Sequence, residues 1–460
     1  MHSKPLNRLQ RAAARFRSVL RAQKRGGGTA AQPRYRILRD LFVRSNAGNA
    51  LLLRLSALGL WVRPQWSRTY TVPLPAGFPF ASARIVLSVP PLPVHPVLEF
   101  AEHVTDENGR ATNTVLGTFR HGFALSNDLG ASWKYVRIKG WHDHRVIHVK
   151  AIGRGEFLVQ TVPARPYRSQ RRSIALLVVD ETGRVLAANR MEGSRWHGCR
   201  SVDMANGVIM YAEYPYDMDD PFAKERLESR VFRSRDRGRS WEIVYADNTI
   251  RHFHLLQARP RVPGEWWLTS GDEPQECRIW VSRDDGCSWV CLTDAFEDLV
   301  GVGAERFRHT LFRLTDLAFE GGNVVWGTDD CLRSAGKGLR GARVVRSPCA
   351  PQLRPEIAGR TPWEIRSLVD LGEAYMFFTQ GCARPDAAHN EGPGVFLLPK
   401  AAGAELVHLF DVDVHCAIRT AFTYSSASRA AKGGVFFTFR SNTDAFPFGH
   451  KILRWEVSWA

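Results

Sequence analysis

An all-β repeat protein is what this sequence predicts, and three observations predict it. The first is a turn motif, Ser-x-Asp-x-Gly-x-Ser-Trp, at Ser126–Trp133, Ser234–Trp241 and Ser282–Trp289, each copy preceded by apolar residues. Three matches at five defined positions mark an internal repeat. The second is a unit of short segment, turn and hydrophobic strand that recurs along the chain. The third is composition: 44% apolar residues, with 14 Trp and 25 Phe, suit a sheet-rich core better than a helical bundle.

The motif explains its own spacing. An Asp carboxylate in a tight turn accepts hydrogen bonds from nearby N–H groups, the Gly supplies a positive φ, and the Trp packs back on the turn. Strand-like residues on both sides make each copy a β-hairpin corner. The pattern resembles the Asp box, or BNR repeat, of the sialidase-like β-propellers. That resemblance implies rim turns away from the central site, so Asp128, Asp236 and Asp284 are not expected to be catalytic.

Taken in order, Leu98–Ala101 with Val115–Gly117 starts the count of units. Val146–Val149 with Phe157–Val159, Ser201–Met204 with Val208–Tyr211, and His252–Leu255 with Trp266–Leu268 continue it. Leu314–Leu317 with Val324–Trp326, Ile365–Leu368 with Tyr375–Phe378, and Cys416–Arg419 with Val435–Phe437 complete seven. Seven blades of four strands fit the length, with six blades and a long insertion as the alternative. Degenerate turns are expected at Ala175–Val185, Cys331–Gly338 and Val395–Gly403, and His450–Val457 supplies the last strand.

Before the propeller, assigned to residues 70–460, stands a basic arm with short helices over 1–69. Residues 1–45 carry twelve Lys/Arg against Asp40 alone, about +11 of the formal +17, so the rest of the chain is only mildly basic. Leu6, Leu9, Ala13, Phe16 and Leu20 fall at helical intervals among arginines, a pattern able to lie on an anionic membrane surface, though a solvated tail is the plainer expectation. Gly26–Pro33 reads as a linker. No apolar stretch follows the early arginines as a secretory signal requires, and Ala50–Val62 is too short to span a bilayer and contains Arg54. The eight cysteines include no C-x-x-C and no zinc spacing, which favours reduced thiols and a cytoplasmic location, peripheral to the inner membrane if the arm binds there.

In a propeller the first strands surround the axis, so polar residues at their starts converge. Here those starts carry His144, His148, Arg200, Asp203, Arg251, His252, His254, Arg313, Asp316, Arg366, His415 and Arg419. Arg binds carboxylates bidentately and His moves protons near neutral pH, so an anionic ligand is expected. The alternative use of these side chains is to satisfy buried neighbours. Glu213 and Tyr214 follow an apolar strand at the same end. Glu213, Tyr214, His252 and His254 are the catalytic candidates. His148, Arg200, Arg251, Glu276, Arg313, Asp329, Arg366 and Arg419 are the substrate-binding candidates. They serve either a glycosidase, which needs a nucleophile and an acid, or a uronate lyase, which needs a His or Tyr base beside a neutralising Arg. Asp217, Asp219 and Asp220 are read as solvating a loop, with calcium the lesser use; no metal or cofactor is expected.

The run from Ala212-Glu-Tyr214 through Ile250–His254, Thr269–Asp272 and Trp326–Asp329 resembles bacterial BNR-repeat propellers associated with polysaccharide loci. That resemblance implies an acidic oligo- or polysaccharide as partner. The chain lacks the Phe-Arg-Ile-Pro that carries the first arginine of the sialidase triad, which separates the propeller expectation from sialic acid cleavage. No phosphate-binding P-loop, dinucleotide fingerprint or G-x-S-x-G elbow is present. Residues 1–15 lack interleaved aromatics, so nucleic acid is not an expected partner. The competing expectation is a non-catalytic interaction propeller at a membrane surface.

Overall fold

The computed structural model is a seven-bladed β-propeller. It describes residues 67–75, 78–89, 98–106, 111–163, 174–191, 200–215, 228–271, 276–294, 311–329, 342–349, 352–379, 381–382, 394–401, 403–411, 420–421, 424–425, 434–439 and 452–460. The basic arm, His415, Arg419 and Asp217–Asp220 lie outside these.

Six blades are four-stranded antiparallel sheets whose strands lie in chain order. Blade 1 starts at Phe100–Thr105, blade 2 at His144–Gly153, blade 3 at Val202–Ala205 and blade 4 at Phe253–Ala258. Blades 5 and 6 start at Leu314–Glu320 and Ile365–Asp370. Blade 7 is assembled from both ends of the propeller. Tyr424–Ser425, Val435–Phe439 and Ile452–Trp459 form its inner part, and Ser82–Ser88 and then Ser67–Pro73 complete it outside. The expected last strand is therefore not the outer edge of its blade. Two more strands cover it, and Ser82 and Ala460 exchange backbone hydrogen bonds of 3.0 Å in both directions.

The apolar alternation that marks the strands has a direct consequence for packing. Seven buried clusters form, one at each junction between neighbouring blades. Leu116, Phe123, Val149 and Leu177 join blades 1 and 2, for example, and Phe100, Val115, Val435 and Phe437 join blades 1 and 7. Trp266, Trp267, Trp326 and Trp455 are fully buried in these junctions. Each such aromatic removes about 200 Å² from water, roughly 5 kcal/mol before entropy is charged against it.

The three motif turns connect third and fourth strands in blades 1, 3 and 4. In the first, Ser132 N and Ser132 Oγ donate to the two oxygens of Asp128 at 2.8 and 2.6 Å, Gly130 N donates to Ser126 Oγ at 2.8 Å, and Trp133 Nε1 donates to Gly130 O at 3.1 Å. Gly130 has φ +83°, and a Cβ there would stand 2.8 Å from Phe437 in blade 7. The Ser132 side-chain hydrogen bond leads the contacts that pull the Asp128 carboxyl down to about 2. At Asp236 partial burial pushes upward, but the Ser240 and Ser234 donors outweigh it and bring the group to about 2. Ala175–Val185 and Val395–Gly403 also bridge third and fourth strands, as expected. Cys331–Gly338 does not, and it lies outside the described residues. In blade 5 the third strand is Ala342–Pro348 and the fourth Glu356–Thr361, so the turn falls at 349–355. A long connection after the second strand shifts the position.

Antiparallel order fixes which residues share a face. The motif turns lie at the ends where first strands finish. Residues before first strands, after second strands and at the heads of third strands gather on the opposite face. The expected site belongs to that face.

Candidate functional site

The face opposite the motif turns carries its polar groups mainly in blades 3 to 6. Arg200, just ahead of the first strand of blade 3, reaches past blade 4. Its Nη2 donates to Asp316 Oδ2 at 2.9 Å, and its Nη1 donates to the carbonyls of Thr315 and, at 2.8 Å, of Arg366. Asp316 Oδ2 also accepts from Leu368 N at 2.9 Å, and Thr315 Oγ1 donates to Arg366 O at 3.1 Å. One buried guanidinium thus ties blade 3 to blades 5 and 6 and fixes the backbone of Arg366.

The side chain of Arg366 turns the other way. Its Nη1 donates to Asp329 Oδ2 at 2.5 Å and its Nη2 to Glu364 Oε2 at 3.1 Å. Asp329 follows the second strand of blade 5, Asn323–Thr328, and its N–H donates to Arg313 O at 2.7 Å. Gly327, two residues earlier, lets blades 5 and 6 approach: a Cβ there would lie 2.1 Å from Ile365 Cγ2. The carboxyl of Asp329 is buried, and its Oδ1 has no hydrogen-bond partner among the described residues. Burial pushes this carboxyl above its ordinary value, while Arg366, Arg313 and His254 pull it back.

Beside this group His254 holds Leu314 O through Nδ1 at 3.1 Å, which makes Nδ1 the protonated nitrogen and leaves Nε2 the acceptor in the neutral ring. His252 lies next to it, ring centroids 5.1 Å apart, and the Tyr214 ring covers His252 at 3.8 Å with an interplanar angle of 33°. The two imidazoles are buried and Tyr214 is half-buried, so the phenol forms the outer layer. Arg251 is partly exposed, with Nε 3.5 Å from Glu276 Oε2. Glu213 is buried against Arg230, which donates to its two oxygens at 2.7 Å each.

Of the candidates from sequence, Glu213, Tyr214, Arg251, His252, His254, Glu276, Arg313, Asp329 and Arg366 thus sit on one face of blades 3 to 6. Arg200 joins them as the cross-axis tie. His148 is elsewhere: it is buried between blades 1 and 2, its Nε2 3.3 Å from Glu102 Oε2. Lys150 lies near the same Glu102 and pairs with Asp203 at 2.8 Å. Sequence reasoning missed Arg230 and Glu364. Arg230 had a legible signal, since pairing of Ala212 with Val231 places it opposite Glu213 one register step on. Among the described residues no group of His, Cys, Asp and Glu has the arrangement of a metal site, and Cys277, Cys287, Cys291 and Cys349 are free thiols.

No family model matches the sequence, and no curated protein matches it. Solved structures similar to this chain are of diverse description. An ancestral GH74 enzyme is 13% identical at a TM-score of 0.47, over 85% of this chain and 51% of that one. A chain of the mitotic checkpoint complex is 11% identical at 0.46, over 80% and 92%. YCF48 bound to D1 peptide is 10% identical at 0.43, over 86% and 98%. The likeness is one of fold.

Proposed function

We propose that the face of blades 3 to 6 binds an acidic glycan, in a protein of the sialidase-like Asp-box kind linked to surface polysaccharide metabolism. The observation that carries this reading is the stack of Tyr214 on His252 beside the partly exposed Arg251 and Arg313. Arginines at the mouth suit a carboxylate, and the Tyr–His stack suits proton transfer. Elimination at a uronate fits better than hydrolysis. Hydrolysis asks for two carboxyl groups open to the sugar; Glu213 is chelated by Arg230 and Glu276 is paired with Arg251. In an elimination the His252 imidazole takes the proton on the carbon next to the carboxylate. That C–H pair becomes the new C=C bond, the neighbouring C–O bond breaks, and the Tyr214 hydroxyl returns a proton to the leaving oxygen. Arg251 or Arg313 offsets the charge that builds on the carboxylate.

A non-catalytic interaction propeller is the second reading, favoured by the Arg200 tie, which fills space near the axis. In either case residues 1–25 are placed against an anionic membrane surface on the cytoplasmic side. The full chain incubated with a panel of polyuronates separates the two, with reducing ends and the ultraviolet band of an unsaturated uronate followed together. Turnover that falls by about a hundredfold in Tyr214→Phe and His252→Gln is expected for the lyase. Binding without turnover supports the interaction protein. Absence of binding across the panel overturns the glycan reading.

A further inference from the structure

His103 stands where blade 1 meets the inner strands of blade 7. It lies on the first strand of blade 1 and is 3% exposed. Its Nδ1 donates to Thr112 O at 2.9 Å, so in the neutral ring Nε2 carries no proton. The ring meets Phe437 of blade 7 at 5.5 Å between centroids, and the backbone of Val435 beside it. Among the described residues two charged groups bear on it, Glu102 and Arg454. Glu102 precedes it on the strand, so its side chain leaves from the opposite face, where His148 and Lys150 meet it at 3.3 and 3.9 Å. Arg454 comes from blade 7 and is fixed at this junction. Its Nε donates to Leu129 O in the blade 1 motif turn at 3.2 Å, and its Nη1 to Glu456 Oε2 at 2.9 Å. The buried guanidiniums of Arg200 and Arg366 each face a carboxylate, Asp316 and Asp329. A second proton on His103 would instead put a cation in an apolar junction with a guanidinium nearby.

We infer that His103 is a pH-responsive joint, whose protonation in mild acid loosens blade 1 from the inner strands of blade 7. The strands that meet here come from opposite ends of the propeller's chain, so packing rather than a connecting turn holds them together. Burial pushes the imidazole below its ordinary value of 6.5; the backbone of Thr112 and Val435 and the charge of Glu102 pull it part of the way back, and Arg454 adds to the lowering. The closed junction therefore resists a proton that the same ring accepts once the junction parts. The stability this group contributes is complete above about pH 6.5 and is lost as pH falls below it. Arg454 makes the effect two-sided. It cannot withdraw from a charged His103 without releasing Leu129 O, which is itself a tie between blades 7 and 1. The joint is independent of the glycan reading, since it involves blades 1 and 7 and not the face of blades 3 to 6.

The test is amide hydrogen exchange of the full chain at pH 7.5, 6.5 and 5.5, corrected for the intrinsic pH dependence of exchange. One proton bound only in the opened form changes that equilibrium by up to about tenfold for each pH unit below the ordinary value. A rise of about three- to tenfold between pH 7.5 and 5.5 is therefore expected in Phe100–Thr105, Val435–Phe439 and Ile452–Trp459, with Trp266–Ser270 of blade 4 as the reference. His103→Asn keeps a donor for Thr112 O and takes up no proton, so the rise should disappear. Arg454→Gln keeps a donor for Leu129 O without the charge and should show a smaller rise; it also serves as the test if His103→Asn does not fold. A rise that is absent from blades 1 and 7, or equal in blade 4, overturns the inference. So does a rise that persists in His103→Asn or is undiminished in Arg454→Gln.

Discussion

The two faces of this propeller solve the same problem, the housing of a carboxylate, in opposite ways. On one face each motif Asp is closed within eight residues of chain. In the turn of blade 3, Ser234 Oγ, Ser240 N and Ser240 Oγ reach the carboxylate of Asp236 at 2.8, 2.9 and 2.5 Å, and Trp241 covers the turn through Gly238 O. On the other face Asp329 depends on Arg366 from the next blade, whose backbone depends on Arg200 across the axis. The local arrangement satisfies its oxygens and lies exposed. The assembled one is buried and leaves Oδ1 unmet. Carboxylates that complete their own turns need only local chain; Asp329 needs neighbouring blades to be assembled before it has its partner.

That contrast can be broken at its assembled end first. Gly327→Val puts branched carbon where Ile365 already stands, so a loss of about 3 kcal/mol is expected in denaturant unfolding, together with loss of ligand binding at the site. Asp236→Ala removes the acceptor of a whole turn. Because the group is exposed, its loss is expected to cost only about 1–2 kcal/mol and to leave binding at the opposite face unchanged. An equal loss of binding would erase the distinction between the faces.

The same carboxylates sharpen the contrast through pH. The folded values of Asp128 and Asp236, about 2, lie below the ordinary 3.8. Their contribution is therefore complete above about pH 4 and disappears as pH falls toward 2. Acid titration of stability should lose part of its slope in that window in Asp236→Asn. The smallest effect is expected for Arg239→Ala. Arg239 pairs with Glu156 at 2.9 Å at the surface, and Arg237 holds the same Glu156 at 3.1 Å, so a change under about 0.5 kcal/mol is expected.

The same difference in range decides what could be read from the chain. The motif turns were legible to the residue because all their partners lie within one turn, and the first strands of blades 1 to 6 were legible because each begins a repeated apolar unit; the seventh, expected at Cys416–Arg419, lies outside the described residues, and the innermost described strand of blade 7 is Tyr424–Ser425. The turn of blade 5 was misplaced at Cys331–Gly338, since a long connection breaks the spacing that locates it. At the axial face the residue types were legible but their pairing was not. Arg200 meets Thr315 and Arg366 across 115 and 166 residues, and no local periodicity encodes such a meeting. His148 is separated from the other candidates because it sits at the junction of blades 1 and 2, where it meets Glu102 across 46 residues.

Ring closure has a practical meaning for anyone handling the gene. Ser82 and Ala460 are hydrogen-bonded neighbours, so the strands that begin and end the propeller lie side by side in one sheet. A truncation beginning at Leu98, where the repeats start, would strip two strands from blade 7 and uncover Trp455 and Val457. Conversely, a peptide joining Ala460 to the start of the outer strand would have to run the length of that sheet, because Ala460 lies beside Ser82 while Ser67 lies opposite Ser88. The molecule has a seam, and the seam joins the last strand of the repeated units to a strand that precedes them.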